Sequence, residues 1–237
     1  MKTLGIIGAD GRMGQAVGLA AQKRYDIVAR ISKDDADYPA LSQCDVVIDF
    51  SVGSALVQAL PHFSDGTALV SGTTGLSPDE ERAISNVSAR LPLLRSGNFS
   101  IGIAVLCALA RQAAASLGDD WDVEVLEMHH RHKVDAPSGT ALMLGEALAK
   151  GRGVTLSDVA AHERAGARRI GDIGFSVLRG GGIYGDHEVR IVSESEQITL
   201  GHRALNRQVF ADGAVQAADW LLGRPAGLYS LEDMITV

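Results

Sequence analysis

The segment over residues 127–141 has the highest density of side chains that could do chemistry. It contains three of the chain's seven histidines, beginning with His129, and Lys133 follows them closely. Its last part, Pro137-Ser-Gly-Thr140, starts a predicted helix. Histidine can donate a proton near neutral pH, and the amide groups at a helix N-terminus bind carboxylates. The segment therefore predicts an acid beside an anion site.

Other interpretations of this segment stay open. His129, His130 and His132 could ligate a metal, but a loop with this spacing lacks the usual cysteine or carboxylate partners, and we expect no metal. The segment could also be a solvated basic loop that contains Lys133. Ser138 could be only a helix N-cap, a role that is compatible with an anion site.

A glycine turn follows the first predicted strand, residues 3–7, and begins a predicted helix. It reads Gly8-Ala-Asp-Gly11-Arg-Met-Gly14, so its second glycine comes one residue later than in G-x-G-x-x-G. Gly8 and Gly11 would let the backbone approach a pyrophosphate, and Gly14 would let the helix pack on the sheet. An ordinary strand-to-helix turn is the alternative. The predicted cofactor contacts in this turn are Gly8, Ala9, Asp10, Gly11, Arg12 and Met13.

The residues after the second predicted strand, 27–31, bear on the choice of cofactor. Ser32 is expected to meet the ribose 2′-oxygen, and Lys33 follows it. A hydroxyl and an ammonium suit a 2′-phosphate better than the carboxylate that is usual in NAD-specific folds, so we expect NADPH. Asp34 and Asp35 come next, and a register shift of one residue would favour NADH instead.

Three further loops follow predicted strands at the same edge of the sheet. Their glycine, serine, threonine and asparagine residues would allow a close backbone and hydrogen bonds to a nicotinamide carboxamide. The same residue types are common in ordinary turns. The predicted cofactor contacts in these loops are Phe50, Gly72, Thr73, Thr74, Gly97, Asn98 and Phe99.

The elements that must position these residues begin with short apolar runs in the first hundred residues. Runs at 46–50, 68–71 and 91–94 are separated by segments of helical length, for which Ser54 and Ser77 are expected N-caps. Buried strands that alternate with helices predict an α/β fold with a Rossmann-like, doubly wound parallel sheet. Ligands bind at the carboxyl ends of such strands.

The pattern changes after about residue 100. A long apolar helix is predicted over 101–116, a strand over 123–128, and a helix over 140–150 that Gly151 ends. Runs at 173–178, 188–192 and 197–200 alternate with period two, which predicts a second α+β domain with a mostly antiparallel or mixed sheet. A last helix is predicted over 207–222. We expect a domain boundary near residue 100.

The composition bounds the class of protein. The chain has 237 residues, of which 46% are hydrophobic and 22% charged, which argues against disorder. A net charge of −7 disfavours nucleic acid as a partner. The longest apolar stretch is about half the ~20 residues of a membrane span, so no membrane association is expected. Cys44 and Cys107 cannot form a disulfide framework, and a signal-peptide pattern is lacking, so we expect a cytoplasmic protein.

The segment Glu127-x-His-His-x-x-Lys-x-Asp-Ala-Pro-Ser-Gly-Thr140 closely resembles the signature of the 4-hydroxy-tetrahydrodipicolinate reductase family, also called dihydrodipicolinate reductases. Residues 8–14, 72–74, 98–100 and 210–214 are similar to other segments of that family, in the same order. The resemblance covers essentially the whole chain. It departs after the second strand, where the family's acid-plus-arginine pair is replaced by Ser32-Lys33.

The resemblance implies an NAD(P)H-dependent reduction of a cyclic dicarboxylate in the diaminopimelate and lysine pathway. It implies that His129 is the general acid and that Lys133 is its charged partner. Strand alternation places Glu127 on the same face as His129, where it could orient the imidazole. The residues implied to bind substrate are His130, Lys133, Ser138, Gly139 and Thr140.

The resemblance also implies a domain arrangement. Residues 1–100 and 207–237 would form the dinucleotide-binding domain, and residues 101–206 would bind substrate and build a homotetramer. Two alternatives are another amino-acid-pathway dehydrogenase of this two-domain plan and a non-catalytic, nucleotide-binding redox sensor.

Overall fold

The computed structural model describes residues 1–163 and 165–235, and the chain divides into two compact units. The first unit contains Met1–Ile101 together with the segment that begins at Arg207. The second unit is Gly102–Asn206. The last long helix therefore belongs to the same unit as the first hundred residues.

The strands and helices follow in chain order. The strands are β1 (Lys2–Ile7), β2 (Tyr25–Ile31), β3 (Val46–Asp49), β4 (Ala68–Ser71), β5 (Pro92–Arg95), β6 (Asp122–His129), β7 (Ala160–Ala161), β8 (Ile173–Arg179), β9 (Asp186–Val192), β10 (Gln197–Arg203) and β11 (Gly227–Tyr229). The α-helices are α1 (Arg12–Ala21), α2 (Gly53–Ala59), α3 (Pro78–Val87), α4 (Ile101–Ser116), α5 (Gly139–Arg152), α6 (Leu156–Val159), α7 (Gln208–Leu221) and α8 (Leu231–Met234).

The first unit is built on a six-stranded sheet with the order β11-β5-β4-β3-β1-β2, in which every pairing is parallel. Every residue of β3 and β4 is buried, as expected for central strands of a sheet that is covered on both faces. The predicted Rossmann-like sheet is confirmed. The strand order reverses between β1 and β3, which is where such a sheet binds its ligand. The edge strand β11 was not predicted because three residues carry too little pattern.

The glycine and serine residues at helix ends show where local rules succeed and fail. Ser77 caps α3 in a capping box with Glu80, as predicted. The prediction for Ser54 is wrong: Val52 is the N-cap of α2. The prediction that Gly151 ends α5 is also wrong, because the helix continues to Arg152. A Cβ at Gly151 would lie 2.3 Å from the Arg111 carbonyl oxygen. Gly151 thus permits close helix packing, and the helix ends at Gly153 with a φ of 70°.

The second unit has a five-stranded mixed sheet with the order β10-β9-β6-β8-β7. The pairs β6–β9 and β9–β10 are antiparallel, whereas β6–β8 and β7–β8 are parallel. The β6–β8 pair is parallel because a connection that contains α5 joins the two strands, which is the geometry that parallel pairing needs. The predicted second sheet is therefore confirmed as a mixed one.

Helices cover one face of this second sheet. Val123 and Val125 of β6 and Phe175 of β8 belong to a buried cluster that also contains residues of α4 and α5. The alternate residues point to the other face, where Leu178 is 50% exposed. Among residues 1–163 and 165–235, no helix is both long and apolar enough to cross a membrane.

Candidate active site

The strand register of the second unit brings four polar side chains to one end of the helix-covered face. Glu127 and His129 end β6, and in the adjacent parallel strand Arg179 lies opposite His129. In the antiparallel neighbour β9, His187 lies opposite Glu127. Because residues that are paired across strands point to the same face, all four side chains continue the apolar face of the core as a polar cluster.

Glu127 is the centre of this cluster and is only 1% exposed. Its Oε2 lies 2.6 Å from His129 Nδ1 and accepts from Arg179 Nη1 at 2.8 Å. Its Oε1 accepts from Arg179 Nη2 at 2.8 Å and from the backbone N–H of Ser138 at 2.9 Å. Burial alone would raise the pKa of Glu127, but these hydrogen bonds hold it below its usual range. The carboxylate is therefore ionised at neutral pH.

The two ring nitrogens of His129 have different neighbours. Its contact with the carboxylate of Glu127 places the proton on Nδ1 in the neutral ring. Its Nε2 lies beside Gly185, where a Cβ would be 3.1 Å away. Burial lowers the pKa of His129, and the nearby Glu127 offsets part of this effect. Nε2 is thus the atom from which an imidazolium at this position could release a proton.

His187 is a second imidazole beside the first, and it is 5% exposed. Its ring meets that of His129 edge to face, with the centroids 5.1 Å apart, and its Nε2 lies 3.2 Å from Ser138 Oγ. Burial, with a smaller contribution from the charge of His129, lowers the pKa of His187 from 6.5 to about 3. The ring is therefore neutral at physiological pH.

We expect this buried neutral imidazole to make stability depend on pH. Because the pKa of His187 is lower in the folded state, the unfolded chain binds more protons, and stability falls as the pH drops below about 6.5. Between pH 7.5 and 4.5, the free energy of unfolding should lose about 2 to 3 kcal/mol through this residue. Urea unfolding of the wild type and of His187→Gln at both pH values measures this. Equal pH dependence in the two proteins would contradict the expectation.

The start of α5 lies against the same cluster. Ser138 is its N-cap, and its Oγ accepts from the backbone N–H of Ala141 at 3.1 Å. The backbone N–H of Ser138 is bound to Glu127, so this residue links the carboxylate to the helix. Gly139 and Thr140 form the first turn of α5, and the N-terminus of a helix favours an anion.

The loop between β6 and α5 carries the remaining predicted residues. The backbone N–H of His130 donates to the Ile183 carbonyl at 2.8 Å. Its Nδ1 is buried and has no hydrogen-bond partner among the residues that the structure describes. Lys133 is half-buried, and its Nζ contacts Asp135 Oδ1 at 2.9 Å. Burial would raise the pKa of Asp135, but the contact with Lys133 opposes this effect, and the pKa is lowered overall.

The first unit contains the predicted glycine turn at the carboxyl end of β1. Gly8 has a φ of 80°, which favours glycine, and a Cβ there would lie 2.5 Å from the Phe50 carbonyl oxygen. A Cβ at Gly14 would lie 2.1 Å from the Gly8 carbonyl oxygen. Gly11 is the N-cap of α1. The turn therefore needs its glycines and presents the N-terminus of α1, which fits a pyrophosphate.

Asp49, at the end of β3, holds the neighbouring loops of this edge together. The carboxylate is fully buried and accepts from the hydroxyls of Ser71 and Thr73 at 2.8 and 2.7 Å and from the backbone N–H of Ser51 at 3.1 Å. The hydroxyl of Thr73 also accepts from the Ser51 N–H at 3.1 Å. The Thr73 side chain thus shapes the loop, whereas Thr74 is exposed.

The other predicted loop residues lie near this carboxylate. The rings of Phe50 and Phe99 meet edge to face with centroids 5.5 Å apart. A Cβ at Gly72 would lie 2.2 Å from the Phe50 ring, so only glycine fits beneath it. Asn98 Oδ1 accepts from the Ser100 N–H at 2.8 Å. Gly97 and Thr74 line a cavity of about 260 Å³ at the ends of β4 and β5.

The two residues predicted to select the nucleotide directly follow β2. The backbone N–H of Ser32 donates to the Asp35 carbonyl at 2.8 Å, and its Oγ accepts from the Asp35 N–H at 3.2 Å. Lys33 is exposed in the same turn. The turn therefore holds Ser32 immediately beyond the strand end, where the ribose of a dinucleotide is expected.

The predicted residues thus fall into two groups, one in each unit. Two members of the second group, Arg179 and His187, were not predicted. His187 could have been found by extending the alternation of Val189 and Ile191 two residues toward the N-terminus. Arg179 could not have been found, because an arginine at the end of a strand is also common on a solvated surface.

Comparisons with known proteins agree along the chain. The family model described as "Dihydrodipicolinate reductase, N-terminus" matches residues 2–99, and that described as "Dihydrodipicolinate reductase, C-terminus" matches residues 102–235. The chain belongs to the dihydrodipicolinate reductase family. The family is therefore the one that the sequence motifs resemble.

Individual members of the dihydrodipicolinate reductase family match along almost their whole length. The 4-hydroxy-tetrahydrodipicolinate reductase of Caulobacter vibrioides is 46% identical over 98% of this chain and 96% of that protein. That of Zymomonas mobilis is 44% identical, with the same coverage. The dipicolinate-bound dihydrodipicolinate reductase from Paenisporosarcina sp. TG-14 has a TM-score of 0.76 at 23% identity, over 99% of this chain and 100% of that one. This last likeness shows the fold.

Proposed function

We propose that the chain reduces 4-hydroxy-tetrahydrodipicolinate to tetrahydrodipicolinate with a nicotinamide cofactor, NAD(P)H, in the diaminopimelate and lysine pathway. Membership of the reductase family supports this activity. The observation that carries it is the buried pair of Glu127 and His129 beside the N-terminus of α5. A proton donor next to a site for anions is what the reduction of a cyclic dicarboxylate needs.

The chain's residues supply the proton and hold the substrate. The substrate loses its 4-hydroxyl group as water, and the ring then gains one hydride and one proton. We assign the proton to His129 Nε2, because Nδ1 is committed to Glu127. Lys133 and the amide groups of Gly139 and Thr140 would offset the two negative charges of the carboxylates, and the His130 side chain would add a further contact.

The glycine turn after β1 fits the pyrophosphate of the cofactor. A Cβ at Gly8 or Gly14 would clash with neighbouring backbone atoms. Glycine at both positions therefore lets the turn pack closely against the N-terminus of α1. When bound, NAD(P)H supplies the hydride. We assign its binding to the first unit, through the residues of the glycine turn, of the turn after β2 and of the loops after β3, β4 and β5: Gly8, Ala9, Asp10, Gly11, Arg12, Met13, Ser32, Lys33, Phe50, Gly72, Thr73, Thr74, Gly97, Asn98 and Phe99. We assign substrate binding and assembly to the second unit.

We propose NADPH as the preferred cofactor. Support comes from the turn after β2, where Ser32 and the exposed Lys33 stand in place of a ribose-binding carboxylate. Steady-state KM values for NADPH and NADH compare the two. Ser32→Glu is the matched variant, because a carboxylate there should repel the 2′-phosphate and shift the preference toward NADH.

The test of the function is a coupled assay with the purified protein. The substrate is made in place by dihydrodipicolinate synthase, and absorbance at the nicotinamide band is followed. We expect NADPH to be consumed only when the synthase product is present. A non-catalytic redox sensor would bind nucleotide without turnover, and a dehydrogenase of another pathway would leave both NADPH and NADH unchanged with this substrate. Either result would refute the proposal.

We propose that the open face of the second sheet pairs with further copies of the chain to form a homotetramer. Leu178 is 50% exposed there, and the half-buried Leu126 and Met128 lie beside it. An exposed apolar patch on a sheet face that no helix among the described residues of its own unit covers can serve as an assembly surface.

The expected mass in solution is four times the chain mass of 24.9 kDa. Light scattering after size exclusion measures it, and Leu178→Glu should reduce the mass. The control is Leu19→Glu, which places the same charge at an exposed position of α1 in the first unit and should leave the mass unchanged. A monomeric wild type would contradict the assembly.

A further inference from the structure

Arg179 ends β8 and is tied to three separate parts of the second unit. Its two Nη atoms donate to the two carboxylate oxygens of Glu127, each at 2.8 Å. Nη2 also donates to the Asp135 carbonyl at 2.6 Å, and Nη1 to the Leu178 carbonyl at 2.9 Å. The guanidinium therefore connects β8, the end of β6 and the loop that leads into α5. The planar, bidentate contact is the strong form of an arginine–carboxylate pair.

We propose that Arg179 is a positioning residue for the proton transfer, because it fixes the charge and orientation of the carboxylate that holds both His129 and the start of α5. The proposal rests on the proposed function, in which His129 is the acid. Arg179 lies outside the sequence motif of residues 127–140, about 40 residues further along the chain.

Arg179 acts on His129 first through its charge. A buried Glu127 alone with His129 would form an ion pair that retains its proton strongly, which is unfavourable for an acid that must release it in each turnover. A permanent guanidinium cation beside Glu127 balances that carboxylate, so His129 adjoins a nearly neutral pair. The charged and titratable groups that act on His129 are Glu127, Lys133, Arg179 and the neutral His187.

Arg179 also fixes the orientation of the Glu127 carboxylate. The Oε1 atom that accepts from Arg179 also accepts from the Ser138 N–H, and the Oε2 atom that accepts from Arg179 also contacts His129. Rotation of the Glu127 carboxylate would therefore disturb the acid and the cap of α5 together. The bidentate contact prevents that rotation, so Arg179 keeps the proton donor and the proposed carboxylate site in one fixed relation.

Arg179→Gln should therefore change both the rate and its pH dependence. Removal of a cation raises the pKa of both His129 and Glu127, so His129 becomes a weaker acid, and the alkaline limb of the kcat profile should move to higher pH. A new acidic limb should appear as Glu127 becomes protonated at higher pH than before. At pH 7.5 we expect kcat to fall about 10- to 100-fold, because positioned acid catalysis contributes about 10²- to 10⁴-fold and only part of it is lost.

Two further variants separate the charge from the geometry and from general stability. Arg179→Lys keeps the cation but cannot bind both oxygens, so it should keep the wild-type pH profile and lose part of kcat. Arg169→Gln is the matched control. Arg169 pairs with Asp172 at the other end of β8, about 20 Å from Arg179, and its loss should leave kcat and the profile unchanged.

Imidazole titration by NMR is a readout that does not need turnover. With labelled histidine, and with His129→Gln used to assign the signal, the His129 titration should move to higher pH in Arg179→Gln and stay near the wild-type value in Arg179→Lys. If Arg179→Gln folds and leaves both the titration and the kcat profile at their wild-type positions, Arg179 is only structural and the proposal is overturned.

The outcomes also separate this proposal from the proposed function. A wild type that consumes neither NADPH nor NADH with the synthase product refutes the function, whereas the imidazole titration still tests the link between Arg179 and His129. Should Arg179→Gln fail to fold, Arg179→Lys decides the question, because a merely structural arginine predicts no loss of kcat in a folded lysine variant.

Discussion

His129→Ala is expected to lower kcat about 10²- to 10⁴-fold while the KM for the dicarboxylate changes little, the range that a positioned acid contributes. The reason is that its Nε2 releases the proton only as the reaction proceeds, so the interaction is made in the transition state and not in the bound substrate. The coupled assay measures both constants, and substrate-independent binding of NADPH shows that the first unit remains intact.

His132→Ala is the matched control for this experiment. His132 is an exposed imidazole three residues beyond His129, on the loop that follows β6, so its loss removes the same side-chain type without touching Glu127. We expect wild-type kinetics for it. Undiminished kcat in His129→Ala would remove this residue from the mechanism, and equal losses in both variants would indicate damage to the loop and not the loss of an acid.

The parts of the fold that could be predicted are those set by local pattern. The runs that form β3 and β4 are mostly apolar and do not alternate with polar residues. Such runs predict strands that are buried on both faces of a parallel sheet, and every residue of the two strands is buried. Ser77 was predictable as a helix cap because its capping-box partner Glu80 lies three residues away. Gly151 was not, because what decides its role is the close approach of a residue in another helix, Arg111.

The residues of the site also divide into those that a local sequence pattern predicts and those that it does not. His129, Lys133 and Ser138 lie within ten residues of one another, so their types and spacing predicted an acid beside a helix N-terminus. Arg179 and His187 reach Glu127 and Ser138 only through strand register, across 52 and 49 residues of sequence. A sequence without an alignment contains no signal for such pairings, although the alternation in β9 places His187 on the buried face.

The second large effect that we expect concerns the positive charge of Lys133. Lys133→Ala should raise the KM for the dicarboxylate and lower kcat, each by about 10-fold or more. Lys133 is half-buried at the loop that precedes α5, and a substrate with two negative charges approaches a chain whose net charge is −7. Loss of a partly desolvated cation costs about 1.5 to 3 kcal/mol per charged hydrogen bond, which corresponds to such factors.

The structure also indicates what competes with the substrate for this lysine. Lys133 Nζ contacts Asp135 at 2.9 Å, so binding of a substrate carboxylate would have to share or replace that ion pair. Asp135→Asn is therefore the matched comparison: it should leave kcat close to wild type and lower the KM, opposite to Lys133→Ala. A Lys133→Ala enzyme with unchanged kcat and KM would show that the carboxylates bind elsewhere. If Asp135→Asn raised the KM as much as Lys133→Ala, the ion pair would be part of the binding site and not its competitor.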